Sequence, residues 1–340
     1  MRILEQLTVA DSSSIGEGRR LAIRLAEGIG FDEGVKGKIA IVISELVTNL
    51  IKYASGGELV LESQSSPDYA VLHIYAYDQG PGMENVTLCM QDGYSSSGTV
   101  GGGLGAISRL PHVFDIYSRP GKGTAVYCAF HTGQRPENEP MEWAGLNFNY
   151  PGELVSGDGY AHFDSANFST VIVVDGLGHG TYANEAATLA IKTFESHVEL
   201  MPAQIIEKIH NALTRTRGAA VAVARINHQT NELSYSGLGN ISAQIAMDFK
   251  VQSLLSNDGI VGGNARRFHT NTYPWSSEAI LTMFTDGLTS KLRLDVDTYP
   301  GFVLRSPNII ASVLMRDFKR GRDDATVVVA KARGVKNKSW

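Results

Sequence analysis

Ser169-Thr-Val-Ile-Val-Val-Asp-Gly-Leu-Gly-His-Gly180 reads as a buried strand that ends on a carboxylate and then on glycine. The same spelling recurs twice. Ile280-Leu-Thr-Met-Phe-Thr-Asp-Gly287 ends on Asp286, and in Gly321-Arg-Asp-Asp-Ala-Thr-Val-Val-Val-Ala330 Asp323 stands just before the apolar run. A fourth aspartate, Asp158, sits in Gly157-Asp-Gly-Tyr160. One Asp-Gly pair alone is most often a turn, but four such sites abutting buried-type strands resist that reading. Ionised carboxylates at strand ends are hard oxygen ligands of the kind Mg²⁺ and Mn²⁺ prefer. The glycines beside Asp158, Asp175 and Asp286 let backbone approach a metal or a phosphate closely.

Working outward, the chain has 340 residues, which predicts about two domains at roughly 150 residues each. Its hydrophobic content of 43% and charged content of 19% describe a globular protein able to build sizeable cores. A formal net charge of −5 argues against a general nucleic-acid surface, which needs a basic field. Lys331, Arg333, Lys336 and Lys338 make only a short basic tail, read as a solvated end. The two cysteines, Cys89 and Cys128, have no CxxC spacing, which argues against a disulfide framework or a zinc site. There is neither a run of 18 apolar residues nor a signal-peptide pattern, and the expected location is cytoplasmic.

The polar, proline-bearing stretch His131-Thr-Gly-Gln-Arg-Pro-Glu-Asn-Glu-Pro140 reads as an interdomain linker. It divides the chain into an expected first domain at 1–133, a linker at 134–140, a second domain at 141–333 and a basic tail at 334–340. Periodicity predicts helices over Glu17–Gly28 and Gly37–Ser55, then strands at 59–63, 69–77, 113–118 and 124–130. That order implies an α+β layer, a sheet with helices on one face. After the linker, strands dominate, with helices at 184–195, 202–214 and 308–318, which suits a β-sandwich flanked by helices.

In the first domain, Glu45, Asn49 and Lys52 recur at i, i+4 and i+7 along one predicted helix and share a stripe. Taken alone, the stripe reads as a solvated face. Ile41, Val42, Ile43, Leu46, Val47, Leu50 and Ile51 leave that helix little exposed circumference, so the alternative is a narrow polar stripe facing a pocket. There Glu45 can accept a proton and Asn49 can offer an amide oxygen to Mg²⁺. Downstream, Tyr75-Ala-Tyr-Asp-Gln-Gly-Pro-Gly-Met83 places Asp78 at a strand end, with Gly80 and Gly82 keeping the wall open. Gly98-Thr-Val-Gly-Gly-Gly-Leu-Gly-Ala-Ile-Ser-Arg-Leu110 is a glycine-rich loop running into a helix, suited to phosphate oxygens and to a mobile lid. A Rossmann fingerprint is excluded because a serine-rich segment, not a strand, precedes the loop.

The four aspartate motifs, in this order, resemble the PPM family of metal-dependent Ser/Thr protein phosphatases, in its RsbX- and SpoIIE-like branch, over roughly the last 200 residues. Thr216-Arg-Gly-Ala-Ala-Val-Ala-Val-Ala-Arg225, Gly237-Leu-Gly-Asn-Ile241 and Ile260-Val-Gly-Gly263 agree with it. The resemblance implies an α-β-β-α sandwich and two Mn²⁺ or Mg²⁺ ions. Asp175 would bridge the ions, and the Gly176 carbonyl would help hold one. Asp286 and Asp323 would complete the other site, Asp158 would act through water as a ligand and catalytic group, and Asp324 would stand behind them. Some family members carry a histidine two positions after the bridging aspartate. Here that position is Leu177, and His179, four positions on, has no assigned role. Arg322 reads as a surface arginine, with substrate phosphate as its alternative partner.

The Glu/Asn helix, the Asp-x-Gly-x-Gly turn and the glycine-rich lid together resemble the GHKL ATP-binding fold over about the first 130 residues, closest to anti-sigma-factor and RsbT-type switch kinases. No histidine precedes Asn49, which argues against a two-component histidine kinase. This resemblance implies helices on one face of a mixed sheet and ATP with Mg²⁺ as cofactor. Asp78, with Gly80 and Gly82, would bind adenine, Asn49 would hold Mg²⁺, Glu45 would be the general base, and Gly101, Gly103 and Gly105 would belong to the lid. The joint expectation is a partner-switching regulator acting on a STAS-domain antagonist or a stressosome-type protein. In the alternative, the first domain senses nucleotide and docks a partner without transferring phosphate.

Overall fold

The computed structural model describes residues 2–91, 103–133 and 139–334, apart from residues 249, 264, 266, 296 and 297. Gly101, residues 134–138 of the expected linker and residues 335–340 of the basic tail lie outside the described residues. The chain forms two compact units, Met1–Glu137 and Asn138–Trp340.

The first unit runs β1 (Arg2–Val9), α1 (Ser13–Gly28), α2 (Glu33–Ala54), β2 (Gly57–Ser65), β3 (Tyr69–Tyr77), α3 (Val86–Cys89), α4 (Gly103–Arg109), β4 (Val113–Arg119) and β5 (Gly123–Gly133). Its five-stranded sheet has the order β1-β2-β3-β5-β4. Asp32 caps α2 by accepting from the Val35 N–H at 2.8 Å, and Ser55 ends it in the left-handed region at φ 57°. The buried stripe Ile39, Val42, Ile43, Leu46, Val47 and Leu50 packs α2 against Leu59, Leu61, Leu72 and Ile74 of the sheet. Gly18 lets α1 come down close, since a Cβ there would sit 3.0 Å from the Leu59 side chain.

One expectation needs correcting. The sheet is antiparallel at every pairing rather than mixed. The reason lies in the connection: two successive helices between β1 and β2 return the chain to the end it left, so β2 must run back along β1. Strand β1 itself carried no sequence expectation. It is an edge strand on which only Val9 is buried, so it lacks the alternation that marks a half-buried strand.

The second unit contains β6 (Met141–Phe148), β7 (Asp158–Asp164), β8 (Phe168–Gly176), α5 (Thr181–Glu195), α6 (Pro202–Leu213), β9 (Ala219–Asn227), β10 (Glu232–Leu238), β11 (Ser242–Met247), β12 (Lys250–Ser253), β13 (Asn271–Pro274), β14 (Ile280–Phe284), α7 (Pro307–Phe318) and β15 (Ala325–Ala332). Two five-stranded sheets, β13-β10-β9-β8-β7 and β12-β11-β14-β15-β6, share one core. Val171, Val173, Ala222 and Tyr235 of the first sheet meet Ile245, Leu281, Met283 and Val328 of the second. Helices α5 and α6 cover the outer face of the first sheet through Ala186, Ala190, Phe194, Ile205 and Ile209, and α7 packs on β6 and β15. The alanine face of α5 permits close approach, and Gly159 of β7 would drive a Cβ to 2.6 Å from Ile191.

Phe194 is fully buried beneath α5. Phe194→Ala should therefore destabilise the second unit by about 3–5 kcal/mol, read as a lower urea midpoint, and Phe194→Leu should cost less.

Candidate functional site

Antiparallel pairing gathers the aspartates. Asp158 opens β7 directly opposite Asp175 near the end of β8. Asp286 follows the last residues of β14, and Asp323 and Asp324 precede β15, the strand that pairs with β14 through Phe284 and Val327. Four strands thus bring five carboxylates to one end of the two sheets. Asp158 and Asp324 are almost wholly buried.

Most of these carboxylates take a hydrogen bond from a distant part of the chain. Thr285 Oγ1 donates to Asp158 Oδ2 at 2.6 Å while accepting from the Thr326 N–H at 2.9 Å. Asn240 Nδ2 donates to Asp286 Oδ2 at 2.8 Å. The Tyr150 N–H donates to Asp324 Oδ1 at 2.7 Å, and the Asp324 N–H donates to Asp323 Oδ1 at 2.9 Å. Asp324 Oδ2 is buried without a hydrogen-bond partner. Gly176 N–H donates to the Gly157 carbonyl at 3.0 Å, and a Cβ on Gly176 would lie 2.3 Å from the Ala183 carbonyl oxygen, so no larger residue fits there.

The electrostatics show crowding of like charge. Burial first, and Asp175 next, hold the Asp158 carboxyl well above the usual carboxylate range. Burial, then Asp286, Asp323 and Asp324, push Asp175 up to about 7, against a hydrogen bond from Asn240. Asp323 is raised by burial and then by Asp286. Carboxyls whose ionisation is opposed at Asp158, Asp175 and Asp323, with the buried Asp324 Oδ2 left without a partner beside them, are a donor set that a hard divalent cation fits. Among the described residues no three acidic, histidine or cysteine side chains stand close enough to hold an ion alone. Mg²⁺ usually keeps several waters and takes only one or two carboxylates, so water would complete each shell.

Several groups at this end carried no sequence assignment. His179 Nδ1 is hydrogen-bonded to Glu153 Oε1 at 2.8 Å, and its ring stacks on Tyr150 with centroids 4.4 Å apart at 14°. The Arg217 guanidinium lies over the Tyr182 ring, 4.9 Å from its centroid, and Nη1 is 3.0 Å from where a Cβ on Gly178 would be. Arg217 therefore overhangs the turn that follows Asp175. Thr216-Arg-Gly218, just before an apolar run, and Gly237-Leu-Gly-Asn240, at the end of a strand, were the available signals for Arg217 and Asn240. Arg322 is exposed.

In the first unit, Glu45 and Asn49 are half-buried on α2 and Lys52 is exposed. Gly103, at the start of α4, stands against Glu45, and a Cβ there would meet Oε2 at 2.6 Å. Asp78 Oδ1 accepts from the Gly80 N–H at 2.7 Å and from the Thr124 N–H at 3.3 Å. Leu50 and the Asp78 Cβ both crowd Gly57, which puts Asp78 beside the C-terminal part of α2. Gly80 packs on Ala54, and Gly82 adopts φ 68° against the Arg119 carbonyl. Gly103 and Gly105, assigned to the lid by resemblance, lie in α4, the helix into which the glycine-rich loop runs, where Ile107 buries into the core and Ser108 bonds back to the Gly105 carbonyl.

A family model described as Stage II sporulation protein E (SpoIIE) matches residues 168–333. The phosphoserine phosphatase RsbX of Bacillus subtilis (strain 168) is 28% identical over 159 residues, 46% of this chain and 78% of RsbX. A crystal structure of RsbX in complex with magnesium aligns with a TM-score of 0.51 at 23% identity, over 59% of this chain and 99% of that one. A structure from work on the bacterial stressosome as a modular system aligns at 0.53 and 24% identity, over 57% of this chain and 100% of that one. These two likenesses concern the fold. The chain carries a SpoIIE/PP2C-type phosphatase domain of the RsbX-like kind. The serine/threonine-protein kinase RsbT of Bacillus subtilis (strain 168) is 36% identical over 108 residues, 32% of this chain and 81% of RsbT, and by that stretch the chain belongs to the RsbT family.

The raised Asp175 carboxyl has a thermodynamic consequence. Folded, the group holds its proton to about 7; unfolded, it releases it near 3.8. The unfolded state binds fewer protons between those values, so stability falls as pH rises through that window and the full penalty stands above it. The metal-free protein should accordingly show a Tm that declines from pH 5 to pH 8. Asp175→Asn should flatten the decline, and Mn²⁺ should raise the Tm more at pH 8 than at pH 5, all measurable by scanning fluorimetry.

Proposed function

We propose that this chain is a cytoplasmic partner-switching regulator in which a metal-dependent phosphoserine/phosphothreonine phosphatase is joined to an ATP-binding unit of GHKL type. The observation that carries the phosphatase reading is the meeting of Asp158, Asp175, Asp286 and Asp323 at one end of the paired sheets, the first buried, the others half-buried, and crowded by like charge. Asp175 is the bridging ligand, with the Gly176 carbonyl beside it. Asp286 and Asp323 complete the second position, and Asp158, tethered by Thr285, acts through water. Two Mn²⁺ or Mg²⁺ ions held there would supply an activated water and neutralise the phosphoryl oxygens. The protein's own part is to orient the ligands: Asn240 fixes Asp286, and Tyr150 fixes Asp324. Arg217, stacked on Tyr182, is placed to donate to non-bridging phosphoryl oxygens, a geometry guanidinium serves well.

In the first unit, Asp78 is the adenine contact, Asn49 the Mg²⁺ ligand of bound ATP, and Glu45 the base for a partner hydroxyl. Kinship to RsbT supports this assignment, and names such as RsbX, RsbT and stressosome support a STAS-domain or stressosome-type partner. The seating of Gly103 against Glu45 favours a second reading of this unit. The start of α4 fills the space a substrate hydroxyl would need, so nucleotide sensing and partner docking without transfer is the rival.

Asp175→Asn should abolish hydrolysis of a phosphoserine protein and of p-nitrophenyl phosphate, and a chelator should do the same until Mn²⁺ is restored. Full activity in Asp175→Asn, with the circular dichroism spectrum unchanged, would sink the two-ion assignment. Arg217→Gln should lower kcat/KM about 10- to 100-fold, as loss of a charged hydrogen bond does.

For nucleotide, calorimetry should detect ATP binding that Asp78→Asn weakens by roughly 10- to 100-fold. Glu45→Ala should keep ATP but lose phosphorylation of the partner, read by mass spectrometry; unchanged partner docking with no transfer in either protein would select the sensing module.

A further inference from the structure

The loop that joins β6 to β7, residues 149–157, is anchored beside the carboxylates at both ends. At its start the Tyr150 N–H donates to Asp324 Oδ1 at 2.7 Å. At its end a Cβ on Gly157 would stand 2.9 Å from Asp324 Oδ2 and 3.3 Å from the Gly178 carbonyl oxygen, so backbone lies directly against both. Between these points Glu153 reaches the turn that follows Asp175. Its Oε1 meets His179 Nδ1 at 2.8 Å, and its carboxylate lies 2.8 Å from where a Cβ on Gly180 would be. The Ser156 carbonyl accepts from Asn184 Nδ2 of α5 at 2.8 Å. The same turn is tied to the loop before β9, where the Leu177 N–H donates to the Gly218 carbonyl at 3.0 Å and Arg217 lies over Tyr182. Three segments are thus laced into one rim beside the carboxylate cluster.

The rim exposes apolar side chains. Leu154 is 94% exposed and Tyr182 64%, with Leu177 at 38% and Val155 at 37%. Scattered singly, such residues would need no explanation; four on segments tied together beside a polar site mark an interaction surface. Folding gains almost nothing from Leu154, whose side chain stays as wet as in the unfolded chain. Glu153 is engaged with His179 and Arg217 with Tyr182, so two of the rim's charges are already committed within it. Chain geometry bounds the distances. Consecutive Cα atoms stand about 3.8 Å apart, so Leu177 lies within about 8 Å of Asp175 and Val155 within about 8 Å of Gly157, with Leu154 one step farther.

We propose that Leu154, Val155, Leu177 and Tyr182 form a docking rim for an apolar side chain of the protein substrate, one to three residues from the phosphorylated serine or threonine. The proposal rests on the phosphatase reading above. A phosphoryl group seated at Asp175 obliges the chain that carries it to cross this rim, so the occupant is the substrate itself. An extended peptide advances about 3.3 Å per residue, which brings side chains one to three positions away within reach of these four residues. Recognition is by burial, since a leucine-sized side chain covers apolar surface that is wet in the free enzyme. An acidic neighbour gains no such cover and meets the repulsion of the aspartates.

The test uses the full chain with Mn²⁺, two phosphoserine peptides that differ only in Leu or Gln at the flanking positions, and p-nitrophenyl phosphate, which has no flank to dock. The readout is the ratio of kcat/KM for the two peptides in one enzyme, which cancels any uniform loss of activity. The wild type should prefer the Leu peptide by about tenfold, mainly through KM, the size expected for burying part of one leucine side chain. Leu154→Ser should cut that preference about threefold and leave hydrolysis of p-nitrophenyl phosphate unchanged, and Leu154→Met should retain most of it. A ratio of one or below in the wild type, or a preference untouched by Leu154→Ser, overturns the docking rim while hydrolysis of p-nitrophenyl phosphate keeps the phosphatase reading intact. Absence of hydrolysis of all three compounds overturns both.

Discussion

Asp158 and Asp175 face each other across adjacent antiparallel strands, where Cα atoms stand only about 4.5–5.5 Å apart. Like charges directly opposite in a sheet are destabilising, and burial multiplies the effect because little water screens them. Such a pair persists only where the surroundings leave the chain no better register. Here β8 is apolar and buried on both faces, packed against α5 and α6 on one side and the second sheet on the other. A slip of one residue would exchange those faces. The cores fix the register, and the register sets carboxylate against carboxylate.

The second sheet obeys the same logic through glycine. A Cβ on Gly287 would lie 1.9 Å from the Asp324 carbonyl oxygen, so only glycine lets the turn after Asp286 close onto the strand that carries Asp323 and Asp324. The hydroxyl of Thr285 then reaches across to Asp158, tying the two sheets together at the site. The recurrent Asp-Gly pairing is therefore a packing requirement as much as an opening toward ligand. An acidic end built this way has its carboxylates positioned by Thr285, Asn240 and Tyr150, and preorganisation of that kind lowers the cost of binding a cation.

Much of this was legible because the sequence writes it locally. Apolar runs ending in Asp-Gly announce buried strands with carboxylates at their tips, and the stripe of Glu45 and Asn49 announces a polar seam on an otherwise apolar helix. What stayed hidden is carried by distant partners. Thr285 and Asp158 are 127 residues apart and Tyr150 and Asp324 are 174 apart, and neither pair has a local spelling. The stacking of Arg217 on Tyr182 joins the loop before β9 to the first turn of α5 in the same way. Strand β1 was missed because an edge strand buries too little to alternate, and the mixed sheet was an inference from resemblance that the two-helix connection overrules. For α4, glycine content pointed to a loop, but burial of Ile107 against α2 outweighs the weak helix propensity of glycine.

On the proposed reading, charge links metal and phosphate into one cooperative event. The bare cluster repels a phosphorylated segment, and Arg217 over the Gly178 turn does not by itself reverse the field of five carboxyl groups. Divalent ions held there would neutralise the cluster, and Arg217 would then face a phosphate whose charge it complements. Each ligand then improves the affinity of the other by the same factor, since linkage is reciprocal. Affinity for a phosphoryl group becomes a property of the loaded site alone, because only there does the local field favour an anion.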